Sequence, residues 1–301
     1  MKKKWQMLYF YLFISPWIIG FLVFELYPIL SSLYYSFLTY NIINPPVFAG
    51  LKNFANALGF GNTQDGFIFW KSVQVTSYYT IISVPLGLIL SLIFALLINQ
   101  RIPGKGIFRT LMYLPGMVSG VSLSLLWLWI FNPQYGLMNY LLSLAGIEGP
   151  AWMASERWAL PAIIIMSFWA TGEGMVLFLA ALQGVPRELE EACVLDGANG
   201  PQRFLHITIP MISPIILFQL IINIINSFQL FTQAYVMTNS GGPHYATTFY
   251  VYNIYVNAFK NYRIGYASAL SWMLLVFIMI LTAAIMKFSD RFVYYEGGEN
   301  S

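Results

Sequence analysis

Six long apolar runs dominate this chain of 301 residues. They cover residues 8–30, 73–98, 111–131, 158–182, 211–235 and 268–288. Each run can cross a bilayer as a helix, which takes about 20 residues. Lipid offers no partner for backbone N–H and C=O groups, so each run is expected to be helical, and none shows the apolar–polar alternation of a membrane β-barrel. The runs predict an all-α membrane protein with six transmembrane helices.

The composition excludes a soluble domain and most cofactor chemistry. Charged residues make up 9% of the chain and hydrophobic residues 58%, whereas soluble domains carry about 25% charged residues. The single cysteine, Cys193, excludes an intrachain disulfide, and His206 and His244 are too far apart to suggest a metal site. We therefore predict no cofactor and no metal.

The Lys and Arg residues predict the orientation, because short loops rich in these residues stay in the cytoplasm. With the N-terminus inside, ten of the 15 lie in inner segments and five in outer segments. The inner residues are Lys2, Lys3, Lys4, Arg101, Lys105, Arg109, Arg187, Arg203, Lys287 and Arg291, and the outer residues are Lys52, Lys71, Arg157, Lys260 and Arg263. We expect both termini to be cytoplasmic. This bias accounts for the net charge of +3 without a nucleic-acid partner.

The runs divide one six-span domain into three parts. Residues 1–72 hold a cytoplasmic tail, the first span and a long outer loop, residues 73–288 form the membrane core, and residues 289–301 form a cytoplasmic tail. The first run is long and lacks a nearby small-residue cleavage site, so we expect an uncleaved span. Prolines inside the runs predict kinks, either around a pathway or as ordinary packing features: Pro16, Pro85, Pro115, Pro161 and Pro214.

One inner loop, residues 186–214, is polar and helix-prone although it lies between two apolar runs. Pro186 suits the start of a helix, and the acidic residues that follow suit its positive end. Gly197 after Asp196 predicts a left-handed helix stop. A second short helix is predicted to begin at Gly200-Pro201 and to end near Pro210. Such a helix–turn–helix between spans predicts a docking surface.

The same loop carries a recognisable pattern. Glu191-Ala192-Cys193, then Asp196-Gly197-Ala198, then Ile207 and Ile209-Pro210, resembles the EAA motif of ABC importer permeases, with Cys193 in place of the motif's second alanine. Further segments resemble the carbohydrate-uptake branch, which includes the larger permease of maltose importers: 48–54, 113–115, 127–139, 181–186 and 237–269. The resemblance covers nearly the whole chain.

The resemblance implies a fold, a membrane and a set of partners. The fold would be that of a type I ABC importer permease, with a cytoplasmic coupling helix, in the bacterial cytoplasmic (inner) membrane. The partners would be a second permease that is similar in sequence, an ABC ATPase dimer, an extracytoplasmic solute-binding protein, membrane lipid and a sugar or oligosaccharide. Coupling to the ATPase would involve Glu190, Glu191, Ala192, Asp196, Gly197, Ala198 and Pro210. The chain itself lacks the P-loop that ATP hydrolysis needs, so it is predicted to be non-catalytic.

The fifth run carries five amides that predict a polar stripe. Gln219, Asn223, Asn226, Gln229 and Gln233 fall within an arc of roughly 120° on a helical wheel. Amides both donate and accept hydrogen bonds, as sugar hydroxyls do, and the neighbouring aromatic residues Phe228, Phe231 and Tyr235 can stack on sugar faces. By resemblance, the region around Gln229 corresponds to the span where maltose permeases contact sugar. The alternative is that these amides hold helices together.

Glu173 is the deep acidic residue of the spans and is a functional candidate by position. It could line the cavity, pair with a partner subunit or carry a proton. We predict a substrate pathway that includes Glu173 together with Asn223, Asn226, Gln229, Gln233 and Tyr235.

Three other functions remain open from the sequence. The first is the same importer carrying a non-sugar solute such as a polyol or glycerol phosphate. The second is an ion-coupled secondary transporter, which would show inverted repeats and charged relays. A membrane enzyme is the weakest alternative, because no His, Cys or acidic cluster converges.

Overall fold

The computed structural model describes residues 2–100, 103–238, 241–289 and 293–294, without the side chains of residues 2–6, 8 and 190. The α-helices are α1 Lys2–Gly20, α2 Tyr27–Ser36, α3 Lys52–Leu58, α4 Thr63–Asn99, α5 Lys105–Tyr113, α6 Gly120–Ile130, α7 Leu137–Leu144, α8 Ala159–Ser167, α9 Gly172–Gln183, α10 Arg187–Leu195, α11 Gly200–Arg203, α12 Ile209–Phe228, α13 Thr232–Met237, α14 Tyr250–Tyr255 and α15 Ile264–Ser289. Wider π-helical turns cover Phe21–Leu26, Phe204–Thr208 and Val256–Lys260. Single 3₁₀ turns cover Leu114–Met117, Trp152–Ala154, Phe168–Ala170 and Pro243–Tyr245.

The helices confirm the membrane fold predicted from the apolar runs. Four helical segments are long and apolar enough to cross a bilayer: Tyr9–Ser36, Thr63–Asn99, Gly200–Met237 and Ile264–Ser289. Two further helix pairs pass the same test together but are bent, by 98° and by 44°. Counting each bent pair as one span gives six among the described residues, as the sequence predicts.

The third predicted span is not one continuous helix, and this corrects the prediction for residues 111–131. It is two arms, Lys105–Met117 and Gly120–Ile130, that meet at 98°. Val118 between them is extended, with ψ of 134°. The Oγ atom of Ser119 then accepts a hydrogen bond from the Ser122 N–H (3.3 Å) and caps the second arm. A new helix therefore begins inside an apolar run.

The fifth span begins earlier than predicted. The second helix of the polar loop does not end near Pro210, because α11, a π-turn and α12 follow one another without a break over residues 200–228. Proline lacks the N–H that an α-helix uses, and the wider spacing of the π-turn Phe204–Thr208 immediately before Pro210 accommodates that loss. The polar loop thus continues without a break into the membrane helix.

The chain divides into two compact units: Met1–Phe69 with Asn253–Val276, and Trp70–Tyr252 with Phe277–Ser301. The first unit holds a two-stranded antiparallel hairpin, β1 Leu38–Asn41 and β2 Asn44–Phe48, which the all-α prediction omitted. The buried side chain of Asn53 donates hydrogen bonds to the carbonyls of Ser36 (2.9 Å) and Leu38 (2.8 Å) and holds the hairpin's first strand.

An ion pair links the two chain segments of this first unit. Arg263 donates to both carboxylate oxygens of Asp65, from Nη1 at 2.8 Å and from Nη2 at 2.6 Å. This hydrogen bonding raises the pKa of the Arg263 guanidinium above its ordinary value. The guanidinium also lies 4.3 Å from the ring centre of Tyr266. A bidentate pair of this kind fixes geometry as well as charge.

The second unit holds an apolar core between α4, α9 and α12. Its buried members are Ala95, Ile98, Met175, Phe178, Leu179, Leu182 and Ile212. These side chains fix the three helices around which the polar groups described next are placed.

Candidate functional site

The polar turn after α10 is closed by its own hydrogen bonds. Gly197 has a φ of +83°, which confirms the predicted left-handed stop. The Gly197 N–H donates to the Val194 carbonyl (3.1 Å) and the Ala198 N–H donates to the Cys193 carbonyl (2.9 Å). These two bonds form a Schellman motif, which satisfies the last carbonyls of the helix.

The other side of the same turn is a capping box. The Gln202 N–H donates to Oδ1 of Asn199 (3.0 Å), and the Asn199 N–H donates to Oε1 of Gln202 (2.8 Å). This pair was not predicted from the sequence, although an Asn–x–x–Gln spacing at the start of a helix is a local signal for it. The segment from α10 to α11 is therefore one ordered unit.

The helix α10 presents an unpaired surface. Glu191, Ala192 and Asp196 are exposed, and no hydrogen bond joins the Glu191 side chain to a described residue. The apolar side chain of Leu195 is 87% exposed to solvent, among charged neighbours. Ala198 and Pro210 are partly buried, and Glu190 lies in α10 with its side chain outside the described part.

A cavity of about 560 Å³ lies within the second unit, which is a size typical of small-molecule sites. Its walls come from helices α4, α6, α8, α9, α12 and α13, and from the links that join α8 to α9 and α12 to α13. All five stripe amides line it, as does Glu173. Tyr235 is not among its lining residues. That side chain is 45% exposed and stacks on Phe231, whose ring centre is 5.4 Å away.

Two of the amides have partners within the protein. Gln219 is 2% exposed, and its Nε2 donates to the Gly174 carbonyl (3.0 Å). Asn223 donates from Nδ2 to the Gln219 carbonyl one turn earlier (2.8 Å). Gln219 therefore holds helices together, which was the alternative considered for the stripe.

The remaining three amides have open hydrogen-bonding groups. The side chains of Asn226, Gln229 and Gln233 make no hydrogen bond to any described residue, and Asn226 and Gln229 are exposed to the cavity side. The five amides do not lie on one helix as predicted, because α12 ends at Phe228 and Gln233 lies on the separate helix α13. The bent chain still brings all three to the same cavity.

The aromatic residues near these amides also differ in whether they line the cavity. Phe231 lines the cavity, whereas Phe228 is buried and packs on Phe277 with ring centres 5.1 Å apart. Of the three aromatic residues predicted to face substrate, one therefore lines the cavity.

Glu173 lies where the fourth span bends. It is in the first turn of α9, directly after the break between the arms Ala159–Ala170 and Gly172–Gln183. A Cβ atom on Gly116 would lie 3.0 Å from the Glu173 side chain, so this glycine leaves the space that the acid occupies. The Glu173 carboxylate makes no hydrogen bond to a described residue.

The bend beside Glu173 is held from several directions. The Thr171 carbonyl accepts hydrogen bonds from the Met175 N–H (3.1 Å) and from Oγ of Ser91 (2.9 Å), while the Gly174 carbonyl accepts one from Gln219. A side chain on Gly172 would collide with the backbone at Met112, so the two helices approach directly. Ser91 and Gly172 were not predicted as site residues, since only their tertiary contacts reveal their role.

These features define a class: a helical membrane protein with an internal polar cavity and an ordered polar turn outside its spans. The family described as "binding-protein-dependent transport system inner membrane component" matches residues 83–294, which is more than half of the sequence. The chain belongs to this family of ABC importer permeases.

Curated relatives and solved structures agree with that assignment. The chain is 38% identical to the probable ABC transporter permease protein YesP of Bacillus subtilis, covering 96% of this chain and 93% of YesP. It is 34% identical to the trehalose/maltose transport system permease protein MalF of Thermococcus litoralis, covering 92% and 91%. The fold matches a bacterial ABC transporter involved in import of the acidic polysaccharide alginate, with a TM-score of 0.82, 23% identity, and coverage of 97% and 98%.

Proposed function

We propose that this chain is the transmembrane permease subunit of an ATP-driven importer for a sugar or oligosaccharide. The observation that carries the proposal is the cavity whose open amides, Asn226, Gln229 and Gln233, have no partner among the described residues. Unpaired donors and acceptors are costly in a membrane protein unless water or a ligand engages them. Saccharide hydroxyls match them in chemistry. The similarity to a trehalose/maltose permease supports the same class of substrate.

We further propose that α10 and the closed turn after it couple the chain to an ATPase. The chain has no P-loop, so the energy would come from a partner that hydrolyses ATP. Because α11 continues into the fifth span, a push on the turn is transmitted directly to the helix that lines the cavity. Exposed Glu191 and Leu195 would contact the ATPase, together with Glu190, Ala192, Asp196, Gly197, Ala198 and Pro210.

The assembly would contain a second permease similar in sequence, two ATPase subunits and an extracytoplasmic binding protein. It would lie in the bacterial cytoplasmic membrane, with lipid around the spans and both termini in the cytoplasm. Residues 73–288 would form the permease core, flanked by the parts 1–72 and 289–301.

The test is ATP-driven uptake by the purified complex in proteoliposomes, together with crosslinking from α10. Glu191→Ala is expected to lower uptake at least about tenfold, because a charged contact at an interface is worth a few kcal/mol. Glu156→Ala removes an exposed acid outside the loop and is the matched control. Uptake that follows a sodium or proton gradient in ATP-depleted vesicles would support the secondary transporter instead.

A further inference from the structure

The charge of the cavity carries an inference about which saccharides can pass. Among the described residues that line it, Glu173 is the single charged side chain, and no Lys, Arg or His lies beside it. The other polar groups are amides, hydroxyls and backbone groups. The described lining that this chain contributes therefore offers hydrogen bonds but no positive side chain.

We propose that this cavity accepts uncharged saccharides and rejects anionic ones, with Glu173 as a specificity-determining residue. The inference rests on the proposed function and narrows its substrate class. An anion that leaves water needs a paired cation or several charge-stabilising donors, and without them its transfer is strongly unfavourable. A uronate, phosphate or sulfonate in the cavity would meet no positive side chain of the described lining. It would also lie close to the Glu173 carboxyl group.

The position of Glu173 strengthens the selection. The N-terminal end of a helix attracts anions through its dipole. Glu173 already occupies the first turn of α9, so its own acid lies where a substrate anion would gain most. Gly116 leaves room for it, since a Cβ atom there would lie 3.0 Å from the Glu173 side chain. The Glu173 carboxylate makes no hydrogen bond to a described residue. A carboxylate accepts hydrogen bonds, so hydroxyl donors of a neutral sugar suit it.

The fold alone does not fix the charge class. The alginate importer that shares this fold is described for an acidic polysaccharide. The charge of the lining is a property of the individual sequence, and here it is set by one acid and several amides.

The test is uptake by the complete reconstituted importer of solutes matched in size but different in charge. The neutral probes are maltose, cellobiose, xylobiose and galactobiose, and the anionic probes are digalacturonate and sn-glycerol 3-phosphate. Uptake of a neutral probe with none of the anionic probes is the expected result. Uptake of an anionic probe that equals the best neutral probe would overturn the charge selection and leave the proposed function standing. ATP turnover that no saccharide stimulates would overturn the proposed function itself.

Variants separate the permease from the binding protein as the source of selectivity. Glu173→Gln and Glu173→Lys are expected to raise the ratio of anionic to neutral uptake, the second by at least about tenfold, because like charges in contact are strongly unfavourable. The isosteric Gln variant keeps the test valid if the Lys variant does not assemble. Glu25→Gln, an exposed acid of the first span outside the cavity lining, should leave the ratio unchanged. An unchanged ratio in assembled Glu173→Gln would remove Glu173 from this role.

Discussion

The polar turn after α10 and the cavity along α12 both contain Asn and Gln side chains, but the hydrogen bonding of these side chains differs. In the turn, Asn199 and Gln202 bond to each other's backbone N–H groups, at 3.0 and 2.8 Å. In the cavity, the side chains of Asn226 and Gln229 make no hydrogen bond to a described residue. Closed hydrogen bonds make a segment rigid and suited to transmitting force, whereas open ones suit a site that binds a ligand. The helices α11 and α12, which follow one another without a break through the π-turn Phe204–Thr208, connect the two regions.

The largest expected effect comes from opening the closed turn at Gly197. Gly197→Val is expected to reduce uptake by about a hundredfold, because a β-branched residue is strongly disfavoured at positive φ. A new side chain would meet no atom within 4 Å, so the backbone conformation alone is tested. Uptake in proteoliposomes and membrane insertion by immunoblot are measured together. Gly197→Asn is the control, since asparagine tolerates this conformation, and equal activity of the Val variant would contradict a rigid turn.

The second-largest effect concerns Gln219, the amide that joins two helices. Gln219→Leu is expected to destabilise the protein by about 1–3 kcal/mol, because the buried Gln219 side chain loses its hydrogen bond to the Gly174 carbonyl. The melting temperature of the purified permease in detergent measures this loss. Gln134→Leu, at an exposed loop position, is the control. A stable Gln219→Leu variant with altered substrate affinity would place Gln219 with the open amides instead.

The third effect should fall on transport and not on stability. Gln229→Leu is expected to raise the KM for uptake by about tenfold, equivalent to about 1.4 kcal/mol, since it removes open hydrogen-bonding groups without breaking an internal bond. Melting temperature and co-purification of the partners should match the unaltered complex. Unchanged kinetics in Gln229→Leu and Asn226→Leu together would mean that these amides do not contact the substrate.

The smallest effect tests the cap of the turn. Asn199→Ala is expected to cost about 1 kcal/mol locally and to lower uptake severalfold. Amide hydrogen exchange of residues 198–203 should accelerate with it. Asn199→Ser, which can still accept the Gln202 N–H, should restore both. Faster exchange without a loss of uptake would show that a stiff turn is not required for coupling.

The sequence predicts the spans well because they depend on local composition alone. The predicted sixth span, 268–288, lies within the observed helix Ile264–Ser289, and the predicted second span lies within Thr63–Asn99. The left-handed conformation of Gly197 was equally predictable from the sequence, since an Asp-Gly pair after a helical pattern is a local signal. The bend at Ser119 was not, because a capping serine inside an apolar run looks like any other small residue.

The sequence could not show which amides of the stripe pack helices and which remain open, and the reason is different. Gln219 and Gln229 are the same residue type in the same apolar window. Only the contact of Gln219 with Gly174, 45 residues earlier in the chain, separates a packing role from an open one. The hairpin 38–48 was missed because its strands are short and pair only with each other.

The ion pair between Asp65 and Arg263 has a consequence for how the protein is made. Its partners are 198 residues apart, so at about 5–20 residues per second the acid waits roughly 10–40 seconds for its cation during synthesis. A chain that ends before Arg263 would lack the cation that pairs with Asp65 in the first turn of α4. The first compact unit, which combines residues 1–69 with 253–276, is therefore completed only when most of the chain has been synthesised.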